Sequence, residues 1–217
     1  MKQLNKRLFT SLILLFLIAA SLNYLIMLLL LIILISIFAL IEFNSLFKKI
    51  YKNENFFHFI SIILSLTYLL FFSLIIWNYI FPFEIAQKIS LIFLLLICIS
   101  TDVGGYIFGK TLGGKKFTKI SPNKTYSGIL GSFILSIVFG SFFYLKFGEL
   151  FILNQHFIVF IFIISLISQL GDLSISYIKR RAKIKDTGSI LPGHGGVLDR
   201  IDGILFAIPI GIILLST

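Results

Sequence analysis

The 217-residue chain is 58% hydrophobic and only 13% charged, with 25 Phe and a net charge of +10. Soluble domains are about half apolar and a quarter charged, so a water-soluble globule is excluded: a core of this size could not bury so many apolar side chains, and the solvent must be lipid. The apolar runs lack the alternation of barrel strands, the single cysteine, Cys98, excludes a disulfide framework or a thiolate metal site, and the positive charge reads as topology and an anionic ligand rather than nucleic acid.

The chain opens with MKQLNKRLFTSLILLFLIAAS, basic, then apolar, then small, in the manner of a signal peptide. A second apolar run follows directly after Asn23, so an uncleaved hairpin of two spans is expected. Seven spans are predicted: Leu8–Leu22, Tyr24–Ile41, Phe57–Trp77, Ile89–Ile107, Ile129–Leu145, Phe157–Leu173 and Leu198–Leu215. A helix needs about 20 residues to cross, at about 1.5 Å per residue. If the spans alternate, all nineteen basic residues except Lys88 and Lys146 fall on one side. The positive-inside rule makes that side cytoplasmic, together with the N-terminus. The expected fold class is all-α: a polytopic integral membrane protein of about seven transmembrane helices with cytoplasmic active-site loops. It forms a single membrane-embedded domain over residues 1–217, with N-terminal spans to residue 98 and the chemistry-bearing spans and loops from 99 onward.

Two long polar loops are predicted on the basic side, Gly104–Gly128 and Ser174–Val197. The first begins GGYIFGKT, Gly104–Thr111, which satisfies G-x4-G-K-T. A nucleotide-cradling loop needs a buried strand before it and a helix after it. A membrane span precedes this one, so close helix contact or ligand-facing amides better explain the glycines. KISPNKTYSG follows, Lys119–Gly128, in which Ser121, Lys124 and Thr125 offer hydroxyls and an ammonium. These suit a phosphate ligand or, equally, a solvated turn beside anionic headgroups. The second loop runs into KDTGSILPGHGGVLDRIDG, Lys185–Gly203. Its glycines allow sharp turns and ligand approach to backbone amides, and His194 is placed to donate to a phosphate. His58 and His156 lie near span ends without supporting residues.

The five aspartates, Asp102, Asp172, Asp186, Asp199 and Asp202, all fall at or near the cytoplasmic side. The apolar run Ile204–Leu215 gives only about 18 Å of helix, against a hydrocarbon core of about 30 Å. The last helix must therefore start near Leu198, which brings Asp199 and Asp202 into its first turn on one face. Asp102 is drawn to membrane depth for the same reason, where ionisable groups are costly and are paired or functional. Asp102 and Asp172 are expected near the C-terminal ends of their helices, facing the negative end of the macrodipole. That placement asks for a cation, either Lys or Arg or a divalent metal of the kind carboxylates hold beside phosphates. For Asp199 and Asp202, position alone favours the plainer reading of acids at a helix N-terminus.

The block SYIKRRAKIKDTGSILPGHGGVLDRID, Ser176–Asp202, resembles the signature of phosphatidate cytidylyltransferases (CDP-diacylglycerol synthases). The matching positions are Ser176, Lys179, Arg180, Lys185, Asp186, Gly188, Leu191, Pro192, His194, Gly195, Gly196, Asp199, Arg200 and Asp202. DVGGYIFGK, SPNKTYSG and QLGDL resemble further blocks in the family's order, so the resemblance covers roughly residues 99–202. Ser127 and Ile175 stand where the family carries acids, and the N-terminal spans are fewer than is usual.

The resemblance implies that CTP and phosphatidate give CDP-diacylglycerol and pyrophosphate at the inner (cytoplasmic) membrane, with Mg²⁺ and room for a second, monovalent cation. It implies that Asp172 and Asp199 hold the metal, with Asp202 and Asp102 as further ligands or orienting groups. Lys179, Arg180 and Arg200 would contact phosphates. Ser121, Lys124 and Thr125, with the Gly195 and Gly196 amides, would bind CTP or the lipid phosphate, and His194 would stand beside the leaving pyrophosphate or order its loop. The nucleophile is then the lipid's own phosphate, mostly dianionic at pH 7, so the task is positioning and charge neutralisation rather than base catalysis. The expected partners are the two substrates and the bilayer; nucleic acid is not one, and a homodimer is allowed. Two alternatives are a CTP-dependent lipid or polyprenol kinase, against which the HGG–DR–D block argues, and an ion-coupled transporter, against which the nearly uncharged extracytoplasmic half argues.

Overall fold

The computed structural model describes residues 13, 16–81, 83–118, 121, 124–150, 156–190 and 195–216. Its long helices are α1 (Leu25–Ile50), α2 (Asn55–Ile80), α3 (Ile85–Thr111), α4 (Tyr126–Phe147), α5 (Phe157–Arg181) and α6 (Leu198–Ser216), with a 3-10 turn, Gly148–Leu150, after α4. Residues 16–23 are also helical, and one extended residue, Tyr24, separates them from α1. Among the described residues there is no strand; Lys116 and Thr125 form an isolated antiparallel bridge.

Among the described residues, five helices are long and apolar enough to cross a membrane: Leu25–Ile50, Asn55–Ile80, Ile85–Thr111, Tyr126–Leu150 and Phe157–Arg181. Of the predicted first span, Leu8–Leu22, residues 13 and 16–22 are described and are helical. The last helix begins at Leu198, as its short apolar run requires, and has 19 residues.

The helices outrun their predicted spans. α1 continues past Ile41 to Ile50, α3 past Ile107 to Thr111, and α5 past Leu173 to Arg181. Apolar windows locate what lies in lipid, whereas the backbone ladder continues through Glu, Lys and Arg, which are good helix formers. The two polar loops shrink accordingly, to residues 112–125 and 182–197. The GGYIFGKT segment is helical throughout, not a loop. Asp102 and Asp172 lie more than two turns from the ends of their helices, so the macrodipole argument, which fades within the last turn, does not apply to them.

The chain forms two compact units, Met1–Trp77 with Ile178–Ile201, and Asn78–Tyr177 with Asp202–Thr217. In the first, α1 and α2 form a hairpin. Ser36 and Ser73 share a hydrogen bond between their hydroxyls at 3.0 Å. At the turn, Tyr51 lies between Phe47 and Phe57, and His58 Nε2 meets Asn44 Oδ1 at 3.1 Å. The outward faces stay apolar and exposed, as at Leu30, Leu34, Leu64 and Leu70, the surface expected where lipid is the solvent.

In the second unit, glycines let α3 and α4 cross closely. A Cβ on Gly104 would sit 2.5 Å from the Gly131 carbonyl oxygen, and one on Gly128 would sit 2.9 Å from that of Gly105. Small residues at such crossings are the membrane solution to helix packing. Beside the crossing, Ser132 donates to the Thr101 carbonyl at 2.7 Å and Thr101 donates to Ser165 Oγ at 2.8 Å, tying α3, α4 and α5 together. Further along, Phe93 stacks on Phe143 and Phe160.

Candidate active site

The loop of residues 182–197 is shaped from both ends. At the end of α5, Ile184 N–H donates to the Lys179 carbonyl and Lys183 N–H to that of Arg180, both at 3.0 Å. This is the Schellman arrangement, with Lys183 in the left-handed region at φ 56°. At the other end, α6 starts at Leu198 and places Asp199 in its first turn.

Asp199 is the most heavily engaged of the nominated residues. Its Oδ1 accepts from Lys179 Nζ at 2.8 Å. Its Oδ2 accepts from Thr187 N–H at 2.8 Å and Gly196 N–H at 3.1 Å, with Thr187 Oγ1 also 3.0 Å away. The pair is deeply set, the side chains of Lys179 and Asp199 being 12% and 7% exposed. Gly195 has φ 88°, which favours glycine, and a Cβ there would lie 3.1 Å from Asp199 Oδ2. Gly196 is buried, and the space a Cβ would need there holds Thr187 and Glu42. Arg180 is exposed and donates to the Ile184 carbonyl at 3.3 Å, and Arg200 is exposed. His194 lies outside the described residues.

The second unit holds the other half of the nominated set. The 112–125 loop folds back as a small hairpin: Phe117 N–H donates to the Lys124 carbonyl at 2.8 Å and Tyr126 N–H to that of Lys115 at 3.2 Å. Gly113 and Gly114, at φ 60° and 107°, take the chain out of α3 into this hairpin. Ser121 lies at the hairpin end, its carbonyl accepting from Lys124 N–H at 3.0 Å. Thr125 is the N-cap of α4, its hydroxyl accepting from Gly128 N–H at 3.1 Å. Ser127 ties the same turn to the Gly113 carbonyl. Lys124 forms an ion pair with Asp172, whose other oxygen accepts from Ser176 Oγ at 3.2 Å. This pair is more open, the side chains of Lys124 and Asp172 being 25% and 26% exposed. Asp102 is exposed on α3, and Asp202 is half-buried on α6, its Oδ1 accepting from Gly203 N–H at 2.9 Å.

The sequence reading missed Glu42. This side chain of α1 is 2% exposed, and three donors of the 182–198 segment converge on it. The available signal was a lone acid in the apolar stretch IFALIEFNSLF, since an ionisable group at membrane depth rarely lacks a role.

Each nominated metal ligand thus faces a lysine. Among the described residues no three His, Cys, Asp or Glu side chains gather into a cation-holding group. The donors at Asp172 and Asp199 are carboxylate oxygens, the kind that Mg²⁺ takes alongside substrate phosphates. Ammoniums, hydroxyls and glycine amides beside them are groups that bind phosphate.

Fold and site together define an all-helical, multi-pass membrane protein with lysine–aspartate pairs in its polar segments. The chain belongs to the Cytidylyltransferase family, whose model matches residues 5–217. It is similar to the phosphatidate cytidylyltransferase of Helicobacter pylori (strain ATCC 700392 / 26695), 47% identical over 118 residues, covering 54% of this chain and 44% of that protein. The enzyme of the same name from Bacillus subtilis (strain 168) is 38% identical over 144 residues, covering 64% and 53%. That from Rickettsia bellii (strain RML369-C) is 47% identical over 126 residues, covering 54% of each. The chain spans about half the length of the curated relatives it matches.

Proposed function

We propose that this chain transfers the cytidylyl group of CTP to phosphatidate, giving CDP-diacylglycerol and pyrophosphate. The observation that carries the reading is the Lys179–Asp199 pair, set at the foot of α6 inside the Ser176–Asp202 block. The relatives' names and the family support it. A phosphate oxygen of phosphatidate attacks the α-phosphorus of CTP, the bond to the β-phosphate oxygen breaks, and pyrophosphate leaves. The incoming phosphomonoester is mostly dianionic at pH 7, so no side chain need remove a proton. The protein's part is to bring two polyanions together and offset their repulsion.

Lys179, Arg180 and Arg200 supply positive charge beside the 182–197 loop, and Lys124 supplies it beside the 112–125 loop. Asp172 and Asp199 would hold Mg²⁺, which when bound neutralises phosphate charge. Asp202, Asp102 and His194 complete the set as orienting groups. The active-site loops face the cytoplasm, the membrane is the inner membrane, and about seven helices cross it. We take a homodimer as the assembly to test, by crosslinking in detergent.

The deciding experiment supplies purified protein with phosphatidate, Mg²⁺ and CTP labelled either in cytidine or in the γ-phosphate. Cytidine label should enter the lipid and pyrophosphate should be released, with loss on chelation and recovery on adding Mg²⁺. Label from the γ-phosphate in the lipid would make the protein a kinase instead, and absence of any CTP-dependent product would end the reading.

A further inference from the structure

Glu42 sits two turns from the end of α1 and is buried. A carboxylate is costly to bury unless its oxygens are hydrogen-bonded. Here Oε1 accepts from Val197 N–H at 2.8 Å, and Oε2 accepts from Leu198 N–H at 2.9 Å and Thr187 Oγ1 at 2.6 Å. The two amides open α6, where the first N–H groups have no partner within the helix and the dipole favours an anion. The residue before Leu198 is Val197, whose side chain cannot cap. Glu42 performs that task from 155 and 156 residues away in sequence.

The neighbouring glycines make room for this carboxylate. A Cβ on Gly188 would sit 2.8 Å from Glu42 Oε1, and one on Gly196 would strike Thr187 Oγ1 and Glu42 Oε2. Thr187 then passes the constraint onward: its one hydroxyl proton goes to the nearer Glu42 Oε2, and its N–H donates to Asp199 Oδ2. Asp199 itself is bonded to Lys179 and to the Gly196 amide. One buried acid from α1 therefore bonds Thr187 and the helix start and, through Thr187, is linked to the Asp199 carboxylate.

We propose that Glu42 is a positioning residue for the cytidylyl transfer, holding the 186–198 segment so that Asp199, Lys179 and the Gly195–Gly196 amides keep their arrangement. This rests on the function proposed above. Glu42→Gln is the sharpest probe. It keeps the shape but replaces one acceptor oxygen by a donor, so at least one of the Val197 and Leu198 N–H groups loses its partner. Turnover should fall about tenfold or more, and the thermal midpoint in detergent should drop as well, because a buried N–H loses its acceptor. Hydrogen exchange of peptides spanning 186–199 should quicken, while peptides of α3 and α4 stay as in wild type.

Thr187→Val should give the same pattern more weakly and Thr187→Ser should restore wild-type behaviour, a rescue that general loss of packing does not produce. The exposed Glu54→Gln serves as control and should change nothing. Wild-type exchange and turnover in Glu42→Gln would overturn the proposal. If Glu42→Gln does not fold, the Thr187 pair decides, and equal behaviour of its Val and Ser variants overturns it. If wild-type protein forms no cytidylyl lipid, the function fails and takes the catalytic half with it, while the exchange data separately decide whether Glu42 holds the loop.

Discussion

Asp199 and Asp172 each face a lysine, but the two carboxylates are built into the protein differently. The Asp199 side chain is 7% exposed and accepts from Lys179 and from two backbone amides. Asp172 is 26% exposed and meets Lys124 and Ser176. The first is held by a loop that Glu42 secures; the second projects from the body of α5 toward a small hairpin. A buried, multiply bonded carboxylate contributes to folding as well as to chemistry, because removing it leaves donors without acceptors. An open ion pair contributes little to folding, because water and salt can replace either partner. The two aspartates should therefore separate when stability and activity are measured together.

The largest effect expected is that of Asp199→Asn. It should lower cytidylyl transfer about a hundredfold or more and cost about 2–3 kcal/mol of stability. Asp172→Asn should also abolish most transfer but cost less than about 1 kcal/mol. Labelled CTP and a thermal melt in detergent read both. The comparison breaks if Asp172→Asn proves the more destabilising of the two.

Lysine truncation sharpens the same contrast at smaller scale. Lys179→Ala removes an ammonium from a nearly buried carboxylate and should cost about 2 kcal/mol. Lys124→Ala frees a more open, half-buried one and should cost less than about 1 kcal/mol. High salt should narrow the Lys124 effect further and leave that of Lys179 nearly intact. Equal losses in the two variants would mean that exposure does not govern the difference.

The second site draws its order from helix packing instead. Its hairpin leaves α3 and enters α4 just beyond the glycine crossing. Gly104→Ala puts a methyl 2.5 Å from the Gly131 oxygen, and backbone must shift to admit it. We expect a loss of about 1–2 kcal/mol, together with faster hydrogen exchange in the 112–125 loop and none of that change in the 186–198 segment. A variant as stable as wild type would show that the crossing can open at no cost.

Much of this was legible in the sequence. Lipid as solvent, helical spans and the start of α6 at Leu198 all follow from apolar run lengths, because hydrocarbon thickness sets a hard minimum. The glycines of GGYIFGKT were readable as helix contacts or ligand-facing amides because no strand could precede them, and Gly104 and Gly105 lie against α4. The pairing of Lys179 with Asp199, and of Lys124 with Asp172, was not readable: each joins residues far apart in sequence, and spacing carries no information on such contacts. Helix ends were misplaced at Ile41 and Leu173 because hydropathy measures lipid exposure while helices end at caps. Glu42 was overlooked for the same reason, since it lies just past the apolar window ending at Ile41.

The smallest effect concerns the cap that launches the 182–197 loop. Lys183 occupies the left-handed position of the Schellman turn at φ 56°, where the side chain crowds the backbone and glycine is preferred. Lys183→Gly relieves that crowding but adds freedom to the unfolded chain, so the net gain should be about 0.5–1 kcal/mol. The gain belongs to folding alone, because the bonds that hold Asp199 come from Lys179, Thr187 and Gly196 and not from Lys183. A melt should rise slightly with transfer unchanged. If Lys183→Gly instead lowers transfer, the Lys183 side chain takes part in the site, and the loop's rigidity is set at the α5 end as much as by Glu42.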